Sequence, residues 1–260
     1  MVRRFSSLWS SSIGKKALMS VTGLLLIGFL VVHLAGNLQL FSDDTGEHFN
    51  AYAEKLKSFG PLLYVAEFGL LALFVAHLAL GLRVTFENRA ARSQRYALDR
   101  DRGARSFASS TMVVTGVIVL VFVIVHLLDF RLREMSPDGL AAMVVRRLSE
   151  PAGALIYIVG VGALGIHLSH AFRSAMQTLG LNNTRYDVPI ARAGKAVAIV
   201  LGVGFALFPL VYFSGAKHST HSASVRAAVP STQQRSLADE AVSSRASFES
   251  SSSGHSEEQR

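Results

Sequence analysis

Five stretches of mostly apolar residues, separated by short polar segments, dominate the pattern along this chain. They run about Ala17–Leu38, Leu62–Leu82, Phe107–Leu128, Ala152–Phe172 and Val197–Phe213. A helix needs about 20 such residues to cross the hydrocarbon core of a bilayer. The pattern therefore predicts an all-α membrane protein with five transmembrane helices. The first stretch follows basic residues, as in a signal peptide, but its apolar run is too long and no small-residue cleavage site follows it.

The segments outside these spans divide the rest of the chain. Residues 1–16 are predicted to form a cytoplasmic N-terminal segment, 17–213 the membrane domain, and 214–260 a serine-rich tail. The tail has too few apolar residues to bury a core, so we expect it to be disordered. Between the spans, the spacing of apolar residues predicts a short interfacial helix over Glu47–Lys57. A second short helix is predicted to start at Ser136 and Pro137.

Composition supports a membrane protein and excludes several kinds of site. Half of the 260 residues are apolar and only 17% are charged, against about 25% in a typical soluble domain. The chain has no cysteine, which excludes disulfides, thiolate zinc sites and iron–sulfur clusters held by this chain alone. The net charge of +8 comes from short basic blocks between apolar runs. That arrangement is typical of membrane topology, and we expect no nucleic-acid partner.

The distribution of charge predicts the orientation in the membrane. Basic residues are in excess before the first span, between spans two and three, and between spans four and five, whereas the other two loops are neutral or acidic. Cytoplasmic loops carry the excess of lysine and arginine. We therefore expect a multi-pass protein of the inner (cytoplasmic) membrane, with its N-terminus in the cytoplasm and its C-terminus outside.

Histidines within the spans reveal an internal repeat. Five of the nine histidines lie in spans, namely His33, His77, His126, His167 and His170. A Val-Thr-Gly segment precedes His33 in span one and recurs at the same distance before His126 in span three. His77 and His167 each lie six residues before an arginine in spans two and four. The first two spans thus recur as the third and fourth, which implies a pseudo-two-fold axis along the membrane normal.

The repeat arranges four histidines in two layers. At about 1.5 Å of rise per residue, His77 and His167 lie near the cytoplasmic face, and His33 and His126 lie towards the outer face. Facing imidazoles on the helices of a bundle suit the axial positions of haem iron. Spans one to four are therefore predicted to form a four-helix bundle around two b-type haems, with span five peripheral. His170 matches Leu80 in the repeat, so we interpret it as an accessory residue.

Other interpretations of the histidines remain open. A lone intramembrane histidine often only makes a hydrogen bond between helices, and glycines in the spans often only allow close helix packing. Zinc normally requires further ligands, and neither layer offers a cysteine or a carboxylate at the same depth. Two other functions fit the pattern: a two-haem anchor of another quinone-linked dehydrogenase, such as a hydrogenase or formate dehydrogenase, or a transporter with a histidine proton relay.

Several short motifs resemble those of one family. The chain is similar to the five-helix, two-haem cytochrome b subunit of succinate dehydrogenase or fumarate reductase over about residues 10–213. The similar segments are Ser12-Ile13-Gly14-Lys15-Lys16, Thr22-Gly23 with His33, Gly36-Asn37-Leu38-Gln39, Phe49-Asn50-Ala51-Tyr52-Ala53, Asn88-Arg89, and His167 with Gln177-Thr178-Leu179-Gly180. This resemblance implies that His33 and His126 ligate the outer haem and that His77 and His167 ligate the inner haem.

The resemblance also implies partners and a reaction. A flavoprotein subunit would interconvert succinate and fumarate, and an iron–sulfur subunit would pass electrons to this chain on the cytoplasmic side. The chain itself would not act on succinate; it would connect the tricarboxylic acid cycle to a membrane quinone, with menaquinone as the expected type. The basic segment Arg83–Arg105 is a candidate contact for the iron–sulfur subunit, or equally for anionic lipid.

One carboxylate lies well inside a predicted span. Glu67 is ten residues from His77 in span two, or about 15 Å towards the outer face. A buried carboxylate can exchange a proton near neutral pH, and quinone chemistry couples electrons to protons. Glu67 is therefore a candidate for quinone-linked proton transfer. A hydrogen bond to a neighbouring span, or simple contact with outer water, would explain it as well.

Overall fold

A computed structural model describes residues 11–90 and 111–215 of the chain. Four of the segments discussed above lie wholly or partly outside the described residues. These are residues 1–10 of the N-terminal segment, 91–105 of the basic segment, 107–110 of the third span and 216–260 of the tail. All the described helices belong to the unit Met1–Ser214.

Within the described residues, every regular element is helical. Five of the helices are long and apolar enough to cross a membrane, as the hydrophobic pattern predicts. The elements are α1 (Ser12–Asn37), a 3₁₀ turn (Leu38–Phe41), α2 (Glu47–Lys57), α3 (Pro61–Ala90), α4 (Met112–His126), a π-helical turn (Leu127–Arg131), α5 (Gly139–Ser149), α6 (Pro151–Thr178) and α7 (Asp187–Phe213).

The helix starts show why these segments begin where they do. The Ser11 hydroxyl accepts a hydrogen bond from the Gly14 N–H at 3.0 Å and so caps α1. Before α2, the Asp43 carboxylate accepts backbone hydrogen bonds from Gly46, Glu47 and His48. These donors, His48 above all, lower the pKa of Asp43 to about 2. The helix predicted over Glu47–Lys57 is confirmed at both ends.

Two short motifs prove to join elements that are distant in sequence. The Lys15 ammonium is buried and pairs with both carboxylate oxygens of Glu87, at 2.6 Å for Oε2, which ties α1 to the end of α3. The Asn50 side-chain oxygen accepts a hydrogen bond from the Ala141 N–H at 2.9 Å, which ties α2 to the start of α5. The first contact ties two of the long helices together, and the second ties the two short helices to each other.

Helix packing places four of the long helices around one centre. Helix α1 packs against α3 and α6, and α6 packs against α4. Around the bundle the order is therefore α3, α1, α6, α4, with α1 opposite α4 and α3 opposite α6. Helix α7 packs mainly along α6, and also touches α1. The buried side chains of α6 and α7 form much of the core.

Some helix ends differ from the sequence prediction. Helix α7 begins at Asp187, ten residues before the predicted Val197, because the helix continues beyond its apolar stretch through Arg192 and Lys195. The short helix predicted to start at Ser136 and Pro137 begins instead at Gly139. The Gly139 N–H closes a turn onto the Ser136 carbonyl, and Gly139 has a positive φ of 86° that glycine tolerates.

Candidate functional site: two histidine pairs in the helix bundle

The structure brings His77 of α3 and His167 of α6 to the same cavity, and we call these two residues the inner pair. The cavity has a volume of about 240 Å³ and is lined by residues of α1, α3, α4 and α6. Its walls are mostly apolar, so the two imidazoles are its main polar groups. His170 is not among the residues that line it, although it lies only one helical turn from His167.

Each imidazole of the inner pair contacts a threonine on the other helix of the same repeat unit. The Thr22 hydroxyl of α1 lies 3.1 Å from His77 Nδ1, and the Thr115 hydroxyl of α4 lies 3.3 Å from His167 Nδ1. Each hydroxyl already donates to backbone carbonyls of its own helix. The threonine oxygens therefore accept from Nδ1–H, which leaves Nε2 of each histidine as the nitrogen with a free lone pair.

Gly23, beside Thr22, lets the His77 imidazole approach closely, whereas a Cβ atom on Gly116 would make only an ordinary contact with His167. A Cβ atom on Gly23 would lie 3.0 Å from Cε1 of His77, and one on Gly116 would lie 3.5 Å from Cε1 of His167. Gly81 lines the same cavity with no neighbour that a Cβ would meet. By contrast, Gly160 packs on the Phe122 ring, so it serves helix packing.

The second pair of histidines also meets across the bundle, and we call His33 and His126 the outer pair. Their ring centroids lie 5.8 Å apart, with the rings at 86° to each other. Aromatic rings surround the pair: Phe29 stacks on His33 at 5.3 Å, Phe205 of α7 lies 5.7 Å from His33, and Phe130 lies 5.4 Å from His126.

A chain of polar groups beside His126 was missed by the sequence analysis. Tyr157 of α6 lies 3.5 Å from His126 Nδ1 and donates a hydrogen bond to Asp129 at 3.1 Å. Arg147 of α5 donates to the same carboxylate oxygen at 2.8 Å, and this bond raises the pKa of Arg147. One feature of the sequence could have indicated this contact: Asp129 follows His126 by three residues, which is about one helical turn.

The structure places Glu67 in an ion pair with the segment after another span, as in one of the alternatives that the sequence left open. Its carboxylate accepts two parallel hydrogen bonds from Arg131, from Nε at 2.9 Å and from Nη2 at 2.8 Å. The Glu67 side chain is about one third exposed. This ion pair joins α3 to the π-helical turn after α4, two helices that otherwise make little contact.

The residues present fit haem better than an ordinary protein metal site. Within residues 11–90 and 111–215, no group of three or more His, Cys, Asp or Glu side chains lies close enough to hold a metal ion. Haem requires from the protein only the axial ligands, which imidazoles supply. In the inner pair the Nδ1 atoms are occupied and Nε2 is free, in an apolar cavity between facing helices. That donor set is the one that bis-imidazole haem ligation uses.

Comparison with known proteins yields one match. Residues 9–99 match the family model described as the succinate dehydrogenase/fumarate reductase transmembrane subunit. This match confirms the predicted family resemblance for the part of the chain that contains α1 to α3, with His33 and His77. No curated protein and no solved structure matches the chain. Together with the five apolar helices, the family match supports a multi-pass membrane protein.

Proposed function

We propose, starting from the family match of residues 9–99, that this chain is the cytochrome b membrane anchor of a succinate:quinone oxidoreductase. It carries electrons between an iron–sulfur subunit and a membrane quinone through two b-type haems. The inner pair, His77 and His167, holds one haem, and the outer pair, His33 and His126, holds the other. Bound haem supplies a one-electron carrier at each layer.

The observation that carries the proposal is the repeated contact between threonine and histidine. The match to the family model ends before α4, yet Thr115 and His167 reproduce the geometry of Thr22 and His77. A hydrogen bond on Nδ1 fixes both the tautomer and the ring orientation of a ligating histidine. Helices α4 and α6 are thus built to offer the same kind of ligand as α1 and α3.

The partners follow from what this chain lacks and from its charge. It has no cysteine, so an iron–sulfur centre held by cysteines would lie in another subunit, and the family match supports a further subunit with the flavin and the succinate site. The excess of basic residues at the N-terminal end of α1 supports a cytoplasmic location for that end, and the soluble subunits would dock there. The protein then lies in the cytoplasmic membrane with its C-terminus outside, and uses a quinone, with menaquinone as the expected type.

The test is the haem content of the purified complex and its loss in single variants. We expect reduced-minus-oxidised spectra to show two low-spin b haems per chain, and His77→Ala or His167→Ala to remove one of them. The matched control is His170→Ala, which should keep both because His170 does not line the cavity. A wild-type complex without haem bands would instead favour the transporter interpretation, and loss of a haem from His170→Ala would reverse the ligand assignment.

Glu67 is proposed as the group that exchanges protons with quinone near the outer pair. Glu67→Gln should slow quinone turnover while both haems and the activity of the soluble subunits with an artificial acceptor remain intact. Arg131→Gln is the matched control, because it breaks the same ion pair and keeps the carboxylate. Full quinone activity in Glu67→Gln, or an equal loss in Arg131→Gln, would show that the ion pair is structural only.

A further inference from the structure

The two histidine pairs differ in what their Nδ1 atoms contact. His77 and His167 face threonine hydroxyls, which are neutral. His126 faces the Tyr157 hydroxyl, which leads on to the carboxylate of Asp129. His126 of the outer pair is therefore linked through Tyr157 to a carboxylate, whereas the threonines beside the inner pair donate to backbone carbonyls.

The direction of each hydrogen bond follows from its partners. Asp129 Oδ2 accepts from the Tyr157 hydroxyl at 3.1 Å and from Arg147 Nε at 2.8 Å. An ionised carboxylate can only accept hydrogen bonds, so the Tyr157 hydroxyl donates its hydrogen to Asp129. The Tyr157 oxygen is then the acceptor for Nδ1–H of His126, at 3.5 Å. We call Tyr157, Asp129 and Arg147 the outer relay.

The helices around the outer relay hold it in place. The π-helical turn Leu127–Arg131 follows His126 directly and carries Asp129; such turns often occur at functional sites. Tyr157 is buried, and the Asp129 and Arg147 side chains are only 14% and 20% exposed. A Cβ atom on Gly153 would lie 1.8 Å from the Arg147 carbonyl oxygen, so only glycine lets α5 sit this close to α6.

We propose that the outer relay lowers the reduction potential of the haem bound by His126. This inference rests on the proposed function. A hydrogen bond that leads to a carboxylate makes the imidazole a stronger electron donor, and a stronger donor stabilises ferric over ferrous iron. Arg147 holds the carboxylate in position but lies farther along the chain of bonds, so the nearer charge that His126 senses is negative. Tyr157, Asp129 and Arg147 are positioning residues, because they act through His126.

The test is a redox titration of the intact complex, followed through the absorbance of each haem. The outer haem is the one whose absorbance disappears in His126→Ala. In Tyr157→Phe, the ratio of reduced to oxidised outer haem at the wild-type midpoint should rise about threefold, the scale of one net hydrogen bond. That change equals about 30 mV, at 59 mV per tenfold for one electron. Asp129→Asn should shift it in the same direction.

A matched control separates this effect from a general loosening of the outer half. Tyr212 of α7 is also buried, and its hydroxyl donates to the Leu40 carbonyl at 3.2 Å, away from any histidine. Tyr212→Phe should leave both midpoints unchanged. An outer midpoint that is unmoved or lowered in Tyr157→Phe overturns the inference, and so does an equal shift in Tyr212→Phe. A wild-type complex without haem overturns the proposed function itself, and this is visible before any variant is titrated.

Discussion

At the scale of single residues, one threonine hydroxyl and one backbone carbonyl together orient each inner imidazole. Thr22 and Thr115 sit at equivalent positions of the internal repeat, and both bond to Nδ1 of a histidine on a different helix. Their own hydroxyl protons go to carbonyls one turn back in the helix. A residue type often found in membrane helices for local reasons thus also sets which nitrogen of the partner is free.

Replacing these threonines by valine should weaken haem retention without removing the ligand. Thr22→Val or Thr115→Val keeps the shape of the side chain but removes the hydroxyl acceptor for Nδ1–H, while the backbone carbonyl of Met19 or Met112 remains as a second acceptor. Loss of such a partner typically costs about 10- to 100-fold in metal-site affinity. The measurement is the transfer of haem to an added haem-scavenging protein, compared with wild type.

The cavity offers its own control for this prediction. Thr85 lines the same space, and its hydroxyl donates to the Gly81 carbonyl at 2.7 Å without contacting a histidine. Thr85→Val should therefore retain haem as wild type does. If it released haem as fast as Thr115→Val, the hydroxyl contact with His167 would have no special role.

At the scale of elements, α6 is the helix that packs against most of the other long helices. It packs on α1, α4 and α7, and its glycines mark the contacts. Gly160 lies against the Phe122 ring of α4, and Gly165 lies against Gly202 of α7. Small residues at such positions let membrane helices approach closely, where van der Waals packing holds them together.

Two glycines of α6, two residues apart, should respond oppositely to alanine. In Gly160→Ala the new Cβ would lie 2.3 Å from the Phe122 ring, and overpacking of this kind typically costs about 1–3 kcal/mol. Gly162 has nothing within reach of a Cβ, so Gly162→Ala should be neutral or more stable by up to about 1 kcal/mol. Thermal denaturation of both variants in the same detergent measures the difference.

The displaced ring gives this prediction a second readout. The centroid of the Phe122 ring also lies 5.2 Å from that of Tyr157 and 6.1 Å from that of His126. Gly160→Ala should therefore disturb the outer haem spectrum, while Gly162→Ala should not. Equal stability of the two variants would mean that α4 shifts away from α6 at no cost.

At the scale of the whole molecule, the sequence predicts the spans and the histidine layers but not the polar contacts between helices. Apolar runs and a repeat are visible in the sequence itself, and they predict the pairing of His33 with His126 and favour His167 over His170 as a ligand. The ion pairs Lys15–Glu87 and Glu67–Arg131 join residues 72 and 64 positions apart. Periodicity along one helix does not specify which helix lies beside it, so these partners, like Tyr157 and Asp129, emerged only from the fold.

Orientation in the membrane is the property of the whole chain that charge alone predicts. The basic residues near the N-terminal ends of α1 and α7 predict that these two helix ends lie in the cytoplasm and that the Asp43–Lys57 loop lies outside. Because the chain has no cysteine, a single introduced thiol reports its side without background. Asp44→Cys and Thr184→Cys change exposed residues of two loops at opposite ends of the bundle. A membrane-impermeant maleimide added to intact spheroplasts should label the thiol at position 44 and spare that at 184, and inverted vesicles should reverse the pattern. Labelling of position 184 in spheroplasts would place the soluble subunits and the inner pair on the outer side.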